Sequence, residues 1–305
     1  MLSIIIPVYN SGKTITKIIK SLEKELSGKI EYEIILVDDG STDGSSINYL
    51  DIVKDSSNLK LVILSRNFGQ HNAILAGLRF AKGDFISFMD DDMQTPPEEL
   101  WKLINKIEEG FDVVYANYTD KKHSLLKNIG SWLNNSMATF LLKKPKNLKT
   151  TSYFIIRKYV AKEILKYKGP YPYLTGLVLR ITGNIGTVNT RHEARQYGKS
   201  NYGFIKLLRL WFNGFTSFSV KPLRISFFTG LVLAMAGFVS AIVILIKKFI
   251  DTDIIIGWTS IIVVILIFAG IQLISLGIIG EYIGRIFMSQ NSQPQYIIKD
   301  KFNIK

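Results

Sequence analysis

Asp84-Phe85-Ile86-Ser87-Phe88-Met89-Asp90-Asp91-Asp92-Met93-Gln94 is an apolar run that ends in three carboxylates. Its first half has the length and composition of a strand buried on both faces of a parallel sheet. The acids would then stand at the carboxyl end of that strand, where open α/β sheets place their ligands. Along an extended chain, side chains two apart share a side. Asp90, Asp92 and Gln94 would therefore point one way and Asp91 the other. Two carboxylates and an amide oxygen make a hard oxygen site, suited to Mg2+ or Mn2+ holding a phosphate. A solvated acidic turn would read the same in isolation, so the flanking chain decides.

Upstream, Leu2 to Val8 is a β-branched run followed by Tyr9-Asn10, and Glu33 to Val37 is another, followed by Asp38-Asp39-Gly40-Ser41-Thr42-Asp43-Gly44. Between them Ile15, Ile18, Ile19, Leu22 and Leu26 keep a helical period. Leu59 to Leu64 reads as a third strand, Asn72 to Phe80 as a helix, and Asp84 to Met89 as the fourth strand. Pro96-Pro97-Glu98-Glu99 opens a helix, with proline in the first turn and acids near its positive end. Phe111 to Ala116 and Tyr153 to Ile156 read as further strands. Strands alternating with helices imply right-handed crossovers and an α/β fold with a mostly parallel sheet. Three strands thus end in polar clusters, and a parallel sheet brings those ends to one edge.

The chain has 305 residues and a formal net charge of +13. That balance suits an anionic partner: nucleic acid, an acidic lipid surface or a phosphorylated substrate. Cysteine is absent, which excludes disulfides, thiolate catalysis and cysteine-ligated metals. The apolar start is too short for a signal peptide and reads as a strand. Between Tyr118 and Lys149 seven lysines (121, 122, 127, 143, 144, 146 and 149) face one acid, Asp120. Phe204, Leu207, Leu208, Trp211, Phe212 and Phe215 make a helical stripe suited to a bilayer interface. Ile225 to Ile246 and Ile254 to Gly280 carry no charge. At 1.5 Å per residue even the shorter spans roughly 33 Å, enough for a hydrocarbon core. Lys247 to Asp253 is the only link between them, so the segment reads as a transmembrane hairpin with both ends on one side. Lys206, Arg209, Lys221, Arg224, Arg285, Lys299, Lys301 and Lys305 flank it and place those ends in the cytoplasm. With the hairpin read, a membrane bilayer is the expected partner and nucleic acid is not.

On these motifs the chain resembles the family 2 glycosyltransferases of GT-A fold, and within them the polyprenyl-phosphate glycosyltransferases. The matching stretches are Pro7-Val8-Tyr9-Asn10, Val37-Asp38-Asp39-Gly40-Ser41-Thr42-Asp43, Arg66-Asn67-Phe68-Gly69-Gln70, Asp90-Asp91-Asp92-Met93-Gln94, Arg195-Gln196-Tyr197-Gly198-Lys199-Ser200 and Pro222-Leu223-Arg224. Each is weak alone, but all six occur in order. The resemblance implies a cytoplasmic GT-A catalytic domain over residues 1–202 and a juxtamembrane amphipathic helix over 203–224. Two transmembrane helices follow, at about 225–247 and 254–282 within 225–288, and then a cytoplasmic tail over 289–305. It also implies a protein of the cytoplasmic (inner) membrane, and by analogy alone a homo-oligomer, a tetramer, packed through the membrane helices.

The implied reaction moves a sugar from a nucleotide-diphosphate sugar to a polyprenyl phosphate, undecaprenyl or dolichyl phosphate, with inversion. Pro7, Tyr9, Asn10, Asp38, Asp39, Asp90 and Asp91 would line the donor, and Asp90, Asp92 and Gln94 would hold Mg2+ or Mn2+. Arg195 would contact a phosphate near the reaction centre. Relatives carry arginines for the lipid phosphate after the fifth strand, where this chain has Lys121, Lys122, His123 and Lys127. Lys127 and Ser131 are the expected phosphate contacts, with Lys122 or His123 assisting. Asp92, Lys127 and Arg195 are the expected catalytic set, and Asp91 is the acid expected to tolerate change best. Ser11 stands where relatives often have Glu, and Asn201 where Lys is common. A processive polysaccharide synthase would carry a Q-x-x-R-W motif and more membrane helices, and neither is present. A haloacid-dehalogenase phosphatase would put its acids on the first strand. A non-catalytic membrane protein that binds nucleotide sugars is disfavoured by the intact acidic motif.

Overall fold

The computed structural model describes residues 1–54, 56–118, 144, 145, 148–169, 171–193, 221–250, 257–290 and 294–304, together with Thr139. They fall into two units: Met1–Gly214 with Ser292–Lys305, and Phe215–Asn291.

The first unit is built on an eight-stranded sheet. Its strands are β1 (Leu2–Val8), β2 (Tyr32–Asp38), β3 (Leu59–Leu64), β4 (Phe85–Phe88), β5 (Val113–Tyr118), β6 (Phe154–Arg157), β7 (Ile185–Thr190) and β8 (Ile298–Phe302). They lie in the order β7-β5-β6-β4-β1-β2-β3-β8. β1 pairs in parallel with β2 and β4, and β2 with β3, as the alternating pattern predicts. Val8 stands opposite Asp38, and Ile5 opposite Phe88, so the carboxyl ends of β1, β2 and β4 share one edge. β1, β2 and β3 are buried along their whole lengths.

The helices that cover the sheet are α1 (Gly12–Leu26), α2 (Ser45–Lys54), α3 (Gln70–Leu78), α4 (Leu100–Glu108), α5 (Lys158–Leu165) and α6 (Leu174–Ile181). The predicted stripe of α1 is its buried face: Ile15, Ile18, Ile19, Leu22 and Leu26 are all at most 3% exposed. Burial of each such side chain is worth about 1.5–3 kcal/mol, which is what fixes the helix on the sheet. α3 approaches closer still. A Cβ on Gly77 would lie 2.7 Å from Ile5 Cγ2 and 2.9 Å from Val37 Cγ2, so only glycine lets this helix rest on β1 and β2. The helix predicted from Pro96 begins as a single 3-10 turn, Pro97–Glu99, and continues as α4.

The sheet departs from the expected pattern at both flanks. β6 runs antiparallel between β4 and β5, with Phe88 and Tyr115 both opposite Phe154. The Phe154 ring stacks with the rings of Phe88 and Tyr115 at centroid distances of 4.4 and 4.9 Å. β7 joins β5 in parallel at one edge. β8 pairs antiparallel with β3 at the other. Within residues 289–305, expected as a cytoplasmic tail, Ile298–Phe302 supplies an edge strand to the first unit. No apolar run announces this strand in the sequence. Ile298-Lys299-Asp300-Lys301-Phe302 is charged, as edge strands often are. The segment is tied down by side chains as well as by β8. Gln295 Nε2 donates to Gly169 O at 2.7 Å, and Asn303 Nδ2 to Val53 O, Ser56 O and Leu59 O at 2.8–3.0 Å. Tyr296 is buried, with the Arg79 guanidinium 5.3 Å from its ring centroid.

The second unit is a pair of long helices, α7 (Lys221–Ile250) and α8 (Trp258–Gln290). The Ser226 hydroxyl donates to Ser275 Oγ at 2.7 Å and joins them. Their described side chains include a broad exposed apolar surface, Phe227, Phe228, Leu231, Val232, Met235 and Phe238 among them. Phe268–Gln290 is long and apolar enough to cross a membrane, and only 6% of its apolar window is buried, unlike a core helix. In α7 the described residues give a shorter apolar stretch, Leu223–Leu233. The amphipathic helix expected at 203–224 lies outside the described residues up to Val220.

An ion pair is buried within the sheet. Lys60 of β3 and Glu33 of β2 are 7% and 4% exposed and hydrogen-bonded to each other. Glu33 also accepts the Ser3 hydroxyl at 2.6 Å and Lys82 N–H at 2.6 Å. Lys60→Met leaves the Glu33 carboxylate buried without its counter-charge and should cost about 3–5 kcal/mol. Denaturant titration of the detergent-solubilised protein checks this; a loss under about 1 kcal/mol would show that Glu33 simply takes up a proton.

Candidate functional site

The polar ends of β1, β2 and β4 form one cluster. Asp39 N–H donates to Val8 O at 2.9 Å, and Met89 N–H to Ile5 O at 3.1 Å, which carries the pairing past the strand ends. Asn10 takes a left-handed backbone with φ +55°. It links β1 to the loop after β2: its N–H donates to Ser41 Oγ at 3.0 Å, and its Oδ1 accepts Thr42 N–H at 2.9 Å. Asp38 is fully buried and accepts Ser41 N–H at 2.9 Å and the Ser46 hydroxyl. Asp39 accepts Phe68 N–H at 2.7 Å and Gly69 N–H at 2.9 Å, one on each oxygen. Gly40 sits at φ +71°, where a Cβ would lie 2.4 Å from the Arg66 carbonyl carbon. Loop 38–44 and loop 66–69 therefore meet backbone to backbone, and no residue other than glycine fits at position 40.

The acidic motif does not stay extended. β4 ends at Phe88, residues 91–93 bend, and Met93 takes φ +58°. Simple alternation therefore fails beyond Asp90, because it holds only for an unbroken strand. Asp90 accepts Gln70 Nε2–H at 2.7 Å and the Ser152 hydroxyl. Asp91 is drawn to the end of β1, where it accepts the Ser11 hydroxyl. That bond gives the acid expected to be most replaceable a partner of its own. Asp92 Oδ1 accepts Gln94 N–H at 3.1 Å within the bend.

The segment after β7 closes on this motif. Glu193 N–H donates to Gln94 O at 2.7 Å, and Gln94 Nε2 donates to Glu193 O at 3.1 Å. Arg191 Nε donates to Glu99 Oε1 at 2.8 Å. The His192 ring stacks on Tyr118 of β5, with centroids 4.0 Å apart.

Asp90 is one of two carboxyls of the cluster raised furthest above the ordinary value, Asp39 being the other. The Asp90 carboxyl is pushed up to about 6, first by burial and then by the charges of Asp92 and Asp91, against the bonds from Ser152 and Gln70. Burial likewise raises Asp91, and raises Tyr118 to about 12 with Asp90 and Asp92 contributing. An acid cluster of this kind is relieved by a cation. Among the described residues no three His, Asp or Glu side chains form a ready metal cage. A cation of the Mg2+ type commonly takes one or two carboxylates and draws its other ligands from water and substrate phosphate.

Comparison with known proteins assigns the chain. Residues 3–165 match the model of glycosyl transferase family 2, and residues 221–286 that of the GtrB C-terminal hairpin. The chain belongs to glycosyl transferase family 2.

Among curated family 2 relatives, the uncharacterized glycosyltransferase YkcC of Bacillus subtilis (strain 168) is 33% identical, over 99% of this chain and 94% of its own. An undecaprenyl-phosphate 4-deoxy-4-formamido-L-arabinose transferase of Proteus mirabilis (strain HI4320) is 30% identical, over 99% of this chain and 94% of its own. Glucosyl-3-phosphoglycerate synthase from Mycobacterium tuberculosis, solved with Mn2+, UDP and glucosyl-3-phosphoglycerate, shares the fold. It superposes with a TM-score of 0.55 at 18% identity, over 72% of this chain and 80% of that one.

Within this family 2 chain, the structure brings together Pro7, Tyr9, Asn10, Asp38, Asp39, Asp90, Asp91, Asp92 and Gln94 at neighbouring strand ends. Lys122, His123, Lys127, Ser131 and Arg195 lie outside the described residues. Asp38 and Asp39, expected to line the donor, spend their described hydrogen bonds on loops 38–46 and 68–69. Sequence reasoning does not reach Gln70, Ser152, Glu99, Arg191, His192 or Tyr118 as site residues. Gln70 ends a family motif that assigns it no role. Ser152 has no signal at all, because only the antiparallel insertion of β6 brings it to Asp90.

Asp39 offers a test by pH. Its carboxyl ordinarily titrates near 3.8, and burial pushes it to about 6, outweighing the two backbone donors. Between those values the folded chain keeps a proton that the unfolded chain has lost. The group's contribution to stability is therefore full below about pH 4 and is lost as pH rises through 6. The stability of wild type relative to Asp39→Asn should fall between about pH 4 and 6.5 and then level off. A rise across that window, in denaturant titrations, would mean that the donors set this carboxyl.

Proposed function

We propose that this chain transfers a sugar, with inversion, from a nucleotide-diphosphate sugar to a polyprenyl phosphate at the cytoplasmic face of a membrane. The observation that carries the reading is a cation-seeking acidic edge at the ends of β1, β2 and β4, in a chain that runs on into an exposed apolar helix pair. The curated relative of Proteus mirabilis, named for transfer to undecaprenyl phosphate and aligned over nearly its whole length, supports the acceptor class. The solved synthase with Mn2+ and UDP supports a nucleotide donor and a divalent ion.

α7 and α8 form the transmembrane hairpin in this reading. The chain before it and the chain after it belong to the same unit. Both ends of the hairpin then lie on one face of the bilayer, and the basic residues flanking it favour the cytoplasmic face.

Asp90, Asp92 and Gln94 would hold Mg2+ or Mn2+, which screens the donor diphosphate from the carboxylates and takes up charge on the leaving nucleotide. Gln70 and Ser152 fix the Asp90 carboxylate by hydrogen bonds. The loop of Asn10, Ser41 and Thr42 shapes the donor side of the edge. The nucleophile is an oxygen of the lipid phosphate, whose second pKa near about 6 leaves it largely dianionic at neutral pH. No strong general base is required. This oxygen forms a bond to the anomeric carbon as the bond to the nucleoside diphosphate breaks. Lys127 and Ser131, with Lys122 or His123, would hold the acceptor phosphate, and Arg195 a phosphate near the reaction centre.

A donor panel offered with undecaprenyl phosphate in detergent, with the lipid product identified by mass, tests the reading directly; no sugar-lipid from any donor would refute it. Asp92→Asn should cut turnover by about 10²-fold or more while the protein still folds and inserts. Normal turnover by that variant, or by wild type in excess EDTA, would remove the cation assignment. Lys127→Ala should raise KM for the lipid roughly 10-fold or more, as loss of a charge-assisted bond implies, with the donor KM little changed. An equal rise in both would place Lys127 elsewhere.

A further inference from the structure

The side-chain amide of Gln94 is held by a short relay of groups that the transfer reading leaves without a role. Gln94 and Glu193 exchange two bonds: Glu193 N–H to Gln94 O at 2.7 Å, and Gln94 Nε2 to Glu193 O at 3.1 Å. A backbone carbonyl can only accept, so it fixes which end of the amide faces it. Nε2 is committed to Glu193, and Oε1, the end that can bind a hard cation, is turned away from that carbonyl.

Glu193 is in turn placed from two residues upstream. Arg191 is the first residue beyond β7, and it donates to Glu99 twice: Nε to Oε1 at 2.8 Å and its own N–H to Oε2 at 3.3 Å. Lys102 adds an ion pair to Glu99 Oε2 at 2.6 Å. Glu99 is only 2% exposed, whereas the Arg191 side chain is 64% exposed. Burying a carboxylate against an arginine that is itself mostly in water is a poor way to gain stability, since an apolar residue at 99 would avoid the desolvation cost. What the pair supplies is position. Glu99 lies five residues after Gln94, across the 3-10 turn Pro97–Glu99. It pins the start of segment 191–193 while Gln94 holds its end.

We propose that Glu99 and Arg191 are positioning residues. Through the Glu193 peptide they hold the Gln94 amide with its oxygen presented to the divalent cation. This deepens the transfer reading and rests on its assignment of Gln94 as a cation ligand. Partners that orient a metal ligand commonly matter by about 10–100-fold in affinity, although they never touch the metal.

The test uses full-length protein in detergent with UDP, and reads Mn2+ binding by electron paramagnetic resonance rather than turnover. Arg191→Ala is the informative variant, because Glu99 keeps Lys102 as its counter-charge and the fold is spared. Mn2+ should bind about tenfold more weakly to it, and hydrogen exchange over residues 191–193 should quicken while β1 and β2 stay protected. Glu99→Gln, which keeps an acceptor but no charge, should fall between wild type and Arg191→Ala. In a Gln94→Ala background, Arg191→Ala should add nothing further. Wild-type Mn2+ affinity in Arg191→Ala, or an additive loss in the Gln94→Ala background, overturns the proposal. Wild-type affinity in Gln94→Ala itself overturns the ligand assignment beneath it. A wild type that binds Mn2+ but makes no sugar-lipid refutes the transfer reading and leaves the binding data to judge this one.

Discussion

Asp38 and Asp39 are withdrawn from water at one edge of the sheet, with Asp90 half-buried beside them, and a carboxylate in that position is costly unless donors reach it. Much of the local structure answers to that demand. Asp38 is met by Ser41 N–H and the Ser46 hydroxyl, and Asp39 by the N–H groups of Phe68 and Gly69. Meeting Asp39 brings loop 66–69 against Gly40 and sets where α3 begins. Among the described residues Asp90 is met by neutral side chains, Gln70 and Ser152, and has two further acids beside it. It is the member of the cluster whose environment favours a bound cation.

Two other buried carboxylates follow the same rule with permanent cationic partners. Glu33 has Lys60, and Glu99 has Lys102 and Arg191. Both carboxyls are held below the ordinary value: burial alone would raise them, and these cations, with the hydrogen bonds they and their neighbours donate, outweigh it. A carboxylate already paired by lysine or arginine has little left for a metal. The contrast between Glu99 and Asp90, nine residues apart, separates an acid that organises the site from one that is open to a ligand.

Much of this is legible in the sequence where short-range rules apply. The apolar runs of β1 to β4 are nearly continuous, as strands of a parallel sheet buried on both faces usually are, and the stripe of α1 repeats at the helical period. The ends of β1, β2 and β4 can be placed on one edge before any coordinates, because parallel pairing sends them the same way. Alternation past Asp90 misleads, since it presumes an extended chain and Met93 turns left-handed. β8 and Ser152 escape for another reason. Ser152 and Asp90 are 62 residues apart, and β8 comes from the far end of the chain to pair with β3. No local period encodes a pairing at such separations.

The sequence by itself determined the parallel core, the acidic edge and the long apolar helices, because each is written in the polarity and spacing of consecutive residues. Tertiary structure alone decided which donors reach which carboxylate. It set Gln70 and Ser152 on Asp90, Ser11 on Asp91, and the Glu193 peptide on Gln94. Those choices depend on the order of strands across the sheet and on where loops bend. They arise from packing between segments distant in the chain, which the pattern of any one segment does not specify.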